Sequence, residues 1–298
     1  MRVLVTGAGG FIGAPTTAEL HRAGHEVAAI LRTGATASRR SIPEGVRFVH
    51  ADLGDPSEVE AALEATRPEA VLHLAWYADP ADYLRAPWAN LASLEHTLGL
   101  LRRLRDAGCR RVVLGGSCLE HADGPAAASP YATAKRAAHA VAAALPADEM
   151  AVACAHVFWV YGPGENPRRG VPTVTRGLLR GDTVDVTAGT QLREYVHVAD
   201  VASALRLILE STVMGRVDIT TGHPVPLRRV FEQLQEEVGN GTLRFGARAS
   251  GPDDTFEVPG EPEPLRSLGW TPGHDLATGV ADTVRWWRQE LATGTVRP

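Results

Sequence analysis

Lysine is almost missing from this chain: 29 arginines stand against one lysine, Lys135. Cysteine is also scarce, with Cys109, Cys118 and Cys154 the whole complement. Three thiols without C-x-x-C spacing suggest neither a disulfide framework nor a zinc site, so a reducing compartment and no metal are expected. There is no lysine-rich run, and a net charge of −5 with a pI near 6.1 argues against bulk binding to nucleic acid or to an anionic membrane. No apolar run reaches the length of a membrane span. No leader precedes the first apolar segment, Arg2-Val3-Leu4-Val5, so the cytoplasm is the expected compartment and small molecules are the expected partners. Internal repeats are absent, and so are low-complexity tracts other than alanine-rich helices. The 298 residues, 44% hydrophobic and 22% charged, suffice for one large or two modest domains and leave the reaction open.

The single lysine lies four residues after Tyr131 in Ser129-Pro130-Tyr131-Ala132-Thr133-Ala134-Lys135. On a helix, positions i and i+4 share a face. The ammonium is therefore expected to lower the phenol pKa from its usual value of about 10, making Tyr131 a usable general acid or base. Ser129 suits the N-cap and Pro130 the first helical position, which would fix where Tyr131 projects. The alternative is a chance Y-x-x-x-K on a solvated helix.

Upstream, strand and helix patterns alternate. Val3-Leu4-Val5 is a strand, Thr6-Gly7-Ala8-Gly9-Gly10-Phe11-Ile12-Gly13 opens a helix that closes at Gly24, and Val27–Leu31 is a second strand. Gly7, Gly10 and Gly13 are three apart. The first allows a tight turn, the second lets backbone approach a pyrophosphate, and the third permits close helix–sheet packing, with phosphates on the helix N-terminus. Further strands are expected at 46–49, 70–74 and 111–114, and helices near 56–66, 91–107 and 131–145. The expected fold class is α/β, a doubly wound parallel Rossmann sheet with a smaller C-terminal substrate-binding lobe. Residues 1–165 would form the dinucleotide-binding domain, with 190–222 returning to it, and 166–298 mainly the lobe. Gly7–Gly13, Asp52, Leu74-Ala75-Trp76 and Ser117 all fall at strand carboxyl ends, where such sheets bind ligands.

Together with His73-Leu74-Ala75, Val160-Tyr161-Gly162-Pro163-Gly164, Arg193-Glu194-Tyr195-Val196-His197-Val198 and Leu268-Gly269-Trp270-Thr271-Pro272, these residues resemble the extended short-chain dehydrogenase/reductase family, in its nucleotide-sugar ketoreductase/epimerase branch. The resemblance covers nearly the whole chain. It implies that Tyr131 is the catalytic acid/base, that Lys135 holds the nicotinamide ribose while lowering the tyrosine pKa, and that Ser117 hydrogen-bonds the reacting sugar oxygen. Cofactor contacts are then expected from Gly7, Gly10, Phe11, Ile12, Gly13, Arg32, Asp52, Leu53, Leu74, Ala75 and Trp76. Substrate contacts are expected from Tyr77, Cys118, Arg193 and Arg248. For Asp52 the alternative is capping of the helix at 56, for Arg193 a surface salt bridge, and for Cys118 a small buried thiol. His73, His197 and Trp286-Trp287 read as structural.

The second strand ends on Arg32-Thr33, with Arg39 and Arg40 following, where an NAD-specific site carries a carboxylate for the ribose 2′-hydroxyl. NADP(H) is therefore expected over NAD(H). A 4,6-dehydratase needs Asp-Glu after the Ser/Thr, and Cys118-Leu119 stand there. In GDP-fucose synthases that cysteine works with a histidine, but here Arg169 or Gly170 stands near its place. The expected activity is NADPH-dependent reduction of an NDP-4-keto-6-deoxyhexose at C4, with Trp76 and Tyr77 narrowing the sugar pocket. The alternatives are an NAD-dependent NDP-sugar 4-epimerase and, in another class, a non-catalytic NADP(H)-sensing regulator. A homodimer is expected through helices 91–107 and 131–145, using the face Ala134, Ala138, Val141 and Leu145.

Overall fold

The computed structural model describes residues 1–32, 42–251 and 257–294. Thr33, Arg39 and Arg40 lie outside the described residues. Seven parallel strands form the central sheet: β1 (Arg2–Thr6), β2 (Glu26–Leu31), β3 (Arg47–His50), β4 (Ala70–His73), β5 (Arg111–Ser117), β6 (Ala151–Val157) and β11 (Gly215–Ile219). Their order is β11-β6-β5-β4-β1-β2-β3, so the winding reverses between β1 and β4.

Helices cover both faces. Val3 and Val5 of β1 join one core cluster with Leu20 of α1 (Gly13–Arg22) and Val201, Leu205 and Ile208 of α7 (Val198–Glu210). Leu4 points the other way, into a second cluster with Leu63 of α2 (Pro56–Thr66), Leu101 and Leu104 of α3 (Pro87–Asp106) and Ala142 of α5 (Pro130–Ala143). Alternate residues of one strand thus feed two cores, which is why the strands read as continuous apolar runs. Between β5 and α5 lie a 3-10 turn (Cys118–His121) and the short α4 (Gly124–Ala127).

After β6 the chain adds smaller pieces. β7 (Trp159–Tyr161) pairs with β10 (Tyr195–His197), β9 (Leu192–Arg193) with β12 (Val225–Pro226), and β8 (Thr183–Val186) with β13 (Thr242–Phe245). α6 (Gly170–Arg180), α8 (Leu227–Val238) and α10 (Leu276–Thr293) enclose a third core of Val174, Leu178, Phe231, Leu234, Val280 and Val284, and α9 (Glu263–Arg266) packs on β11. Trp287 is fully buried. Among the described residues no helix is long and apolar enough to cross a membrane.

Two buried histidines lock these parts. Thr97 Oγ1 donates to the Ser93 carbonyl (2.8 Å), so it accepts from His73 Nε2 (2.9 Å). His73 Nδ1 in turn accepts from Thr6 Oγ1 (2.7 Å), which receives the Ala75 N–H (3.2 Å). This chain ties β1, β4 and α3 at the reversal point. His197 Nδ1 caps α7 by accepting the Ala199 N–H at 3.4 Å. Burial, reinforced by neighbouring cations, pushes His73 down to about 3; burial, with His274 adding to it, takes His197 to about 4.

Both groups fold neutral and charge when unfolded, so their stabilisation is complete above pH 6.5 and is lost as the pH falls towards 4 for His197 and towards 3 for His73. Thermal melts are expected to drop by several degrees across that window, at about 2–4 °C per kcal/mol for chains approaching this size. The variant His197→Asn keeps a capping acceptor without a titrating ring and should show a shallower drop. Superimposable pH profiles for variant and wild type would contradict this assignment.

Candidate active site

The crevice begins where β1 ends. Gly7 has φ +69°, and a Cβ there would stand 2.7 Å from the Ala75 nitrogen and 2.8 Å from the Leu74 carbonyl carbon. The turn therefore lies directly against the loop after β4, at the reversal of strand order. A Cβ on Gly13 would lie 2.0 Å from the Gly7 carbonyl oxygen, so the third glycine is required by the turn itself rather than by helix–sheet packing. Gly10 donates to the Gly7 carbonyl at 2.9 Å and accepts from Ala14 at 3.0 Å. Ile12 stands at the N-cap of α1 without a side-chain capping bond, and Phe11 and Ile12 are half-buried. A helix start whose first N–H groups no side chain claims, reached over glycines, fits the pyrophosphate of a dinucleotide.

Across the crevice, Ser129 Oγ accepts the Ala132 N–H at 3.2 Å and Pro130 starts α5, as the sequence indicates. Lys135 is buried, with 6% of its surface exposed, and donates from Nζ to the Gly115 carbonyl at 2.5 Å. The same ammonium sits 3.9 Å from the Trp76 ring centroid, and the indole N–H of Trp76 donates to Asn90 Oδ1 at 2.9 Å. Burial brings Lys135 down to about 8.

The expected acidification of Tyr131 is not found. Its ring centroid lies 6.0 Å from the ammonium, which is directed at Gly115 and Trp76. Burial first, then the neighbouring Tyr83, raises the phenol well above its ordinary value, against the lowering effect of a hydrogen bond with Ser117. Tyr131 in this arrangement is a protonated phenol beside Ser117. Tyr83 meets its ring edge-on at 5.0 Å and Trp76 at 6.4 Å.

Ser117 is the last residue of β5 and the N-cap of the 3-10 turn, where Glu120 Oε1 accepts the Ser117 N–H at 2.8 Å. Glu120 Oε2 accepts from His139 Nδ1 at 2.6 Å, His139 meets His156 at 2.9 Å, and His156 meets His121 at 2.5 Å. Burial alone would raise the Glu120 carboxyl, but the His139 hydrogen bond and the flanking histidines hold it below the usual range. Burial takes His156 to about 4. Gly116 makes this packing feasible, since a Cβ there would lie 2.5–2.9 Å from His156, His139 and Glu120. Donor atoms of Glu120, His139 and His156 all lie within 4.8 Å of one another, and direct hydrogen bonds already pair them.

Of the other expected site residues, Leu74 and Ala75 line the glycine turn, while Arg32 is exposed just past β2. Asp52 Oδ1 accepts the Gly54 N–H at 2.8 Å, and Asp55, not Asp52, caps α2. Leu53 packs against the second core. Tyr77 donates to Asp82 at 2.6 Å within its own loop. Cys118 is buried in the first core, as the thiol alternative describes. The Arg193 charge is felt at Cys118, and its guanidinium lies 5.2 Å from the Trp159 centroid. Arg248 is exposed and bonds by its backbone N–H to the Val186 carbonyl, joining none of these groups. Glu120, Tyr83 and Asn90 went unread in the sequence as parts of the site, and Arg169 was read only as standing near the place of a missing histidine. Only Glu120 had a local signal, the S-x-x-E of a capping box.

Residues 3–219 match the NAD dependent epimerase/dehydratase family. The chain is 30% identical over 295 residues to the 3-diazoavenalumate denitrifying reductase of a Streptomyces species, covering 93% of this chain and 90% of that protein. A structure of the UDP-glucose 4-epimerase of Thermus thermophilus in complex with NAD is 28% identical with a TM-score of 0.87, covering 97% and 99% of the two chains. MoeE5 in complex with UDP-glucuronic acid and NAD is 30% identical with a TM-score of 0.81, covering 97% and 100%. With a glycine cradle at the sheet's reversal point, a Ser–Tyr–Lys set facing it and a match over most of its length, the chain belongs to the NAD-dependent epimerase/dehydratase family, within the extended short-chain dehydrogenase/reductases.

Proposed function

We propose that this protein is an NADPH-dependent reductase of the C4 carbonyl of an NDP-4-ketohexose. The observation that carries the reading is the state of Tyr131: half-buried, hydrogen-bonded with Ser117 and raised above its ordinary phenol value. A 4-epimerase begins by removing a proton from a sugar hydroxyl and needs the phenolate, whereas ketone reduction needs a donor for the developing alkoxide. Tyr131 would give that proton, Ser117 would hold the carbonyl oxygen, and Lys135 would hold the nicotinamide ribose. The cofactor supplies the hydride when bound. Arg32, exposed past β2, would attract a 2′-phosphate where an NAD site places an acid. We assign nucleotide-sugar binding to the lobe formed by 166–189 and 223–298, with Arg193 on the diphosphate. Similarity to a reductase at 30% identity accords with a reductive activity, as similarity to UDP-glucose 4-epimerases accords with the second reading. NAD-bound epimerases among the neighbours keep the NAD-dependent 4-epimerase as the second reading. A regulator without turnover has no use for the intact Tyr131–Lys135 pair.

Tyr131→Phe is expected to bind NADPH as the wild type does while turnover of a keto-sugar falls about 10²- to 10⁴-fold, and Arg32→Ala to erase a preference for NADPH over NADH. Equal use of both cofactors by the wild type, or full activity of the phenylalanine variant, would overturn the reading.

The homodimer remains a proposal with an altered surface. Ala134 and Ala138 are buried within the chain and Leu145 packs on the second core, because α5 spends that face on its own sheet and on α3. Trp88 (79% exposed) and Leu91 on α3, with Val141 on α5, are the apolar groups left outward. Light scattering should return twice the chain mass for the wild type and a smaller mass for Trp88→Lys. A monomeric wild type would refute the dimer.

A further inference from the structure

One aromatic ring away from Tyr131 stands a cation that a neutral 6-deoxyhexose does not call for. The guanidinium of Arg169 lies 4.5 Å from the centroid of Tyr83, whose ring meets that of Tyr131 edge-on at 5.0 Å. The stack is anchored. Asn90, with no exposed surface, donates to the Tyr83 carbonyl at 2.7 Å and accepts the Trp76 indole N–H at 2.9 Å. Arg169 is thus presented one aromatic ring away from the proposed proton donor, at the half-buried start of α6.

Its charge is not answered by an ion pair among the described residues. Among the described residues no carboxylate comes within 4.0 Å of the Arg169 guanidinium nitrogens. Asp79, which feels Arg169, is held by Arg168 at 2.6 Å. Glu165, four residues upstream, has 8% of its surface exposed and an Oε2 without a hydrogen-bond partner. Burial raises that carboxyl to about 8 in spite of Arg169, so at neutral pH Glu165 is a neutral donor and not a counter-ion. A guanidinium and an unpartnered buried carboxyl within electrostatic reach of each other suit an anion: one offers a charged fork, the other an O–H.

We infer that the substrate carries a carboxylate next to its reacting carbon, as a 4-keto-hexuronic acid does, and that Arg169 is the residue that reads it. This rests on the nucleotide-sugar reading and replaces the methyl group of a 6-deoxyhexose with an acid. A methyl there would leave the half-buried guanidinium without a counter-ion on its free edge. A carboxylate takes it bidentately, and stacking on Tyr83 fixes the plane of the fork. Tyr131 then delivers its proton to the oxygen of a carbonyl whose position is set by the neighbouring acid.

The test is calorimetric binding of matched pairs, UDP-glucuronic acid with UDP-glucose and dTDP-glucuronic acid with dTDP-glucose, to the full chain and to Arg169→Gln and Arg169→Lys. In at least one pair the acid should bind the wild type more tightly, and Arg169→Gln should weaken it about 10- to 100-fold, the value of charge-assisted hydrogen bonds. The neutral sugar should be left within about threefold, and Arg169→Lys should restore part of the loss. If acid and neutral sugar bind alike, or Arg169→Gln weakens both equally, the inference falls and the nucleotide-sugar reading stands. If no member of either pair binds, the nucleotide-sugar reading itself falls, and this inference with it.

Discussion

The ammonium of Lys135 is removed from water and held between the Gly115 carbonyl and the face of Trp76, and the other groups of the crevice take their places from that contact. Desolvation weakens the charge, bringing Lys135 to about 8, while one hydrogen bond and a cation–π contact offset part of the cost. Those bonds join α5 to the end of β5 and to the loop after β4. They bring Tyr131 to Ser117 on one side and Trp76 over the ammonium on the other. Arginine is a poor substitute, because its five N–H donors would be buried with one carbonyl to accept them.

A second constraint comes from beneath. Ser117 is held through its backbone N–H by Glu120, and Glu120 is kept ionised by His139 in a line of three histidines, of which His139 and His156 are buried. An ionised carboxylate accepts more strongly than a neutral one, so the reach of the serine depends on imidazoles drawn from a different helix and strand. Gly116 is the concession that lets the rings in. The tyrosine is therefore positioned by hydrogen bonds and neighbouring rings, and its protonation follows from burial rather than from the lysine.

Much of this was legible in the residue order. The alternation of apolar strands and helices, the glycine spacing and the Ser129-Pro130 helix start are local signals, and each lies where expected. The register of Tyr131 and Lys135 on α5 was also legible, but the electrostatic outcome was not. Spacing on one helix says that two groups share a face, whereas their pKa values depend on water exclusion by β5, Trp76 and Tyr83. Asp55, not Asp52, caps α2, and Asp55-Pro56 held that signal locally. Tyr83 and Arg169 stand 86 residues apart in chain order, in loops without periodicity, and only folding joins them. The apolar stripe on α5 was real, yet a stripe does not name the neighbour that covers it, and here the neighbour is mostly the chain's own core.

The account turns on a phenol that keeps its proton. Alkaline difference absorption of tyrosinate, comparing the wild type with Tyr131→Phe, isolates that single ionisation. The account predicts that the difference between the two proteins stays flat up to and beyond pH 10, the ordinary value for a phenol. A tyrosinate signal that appears near pH 7 and vanishes in the phenylalanine variant would contradict it.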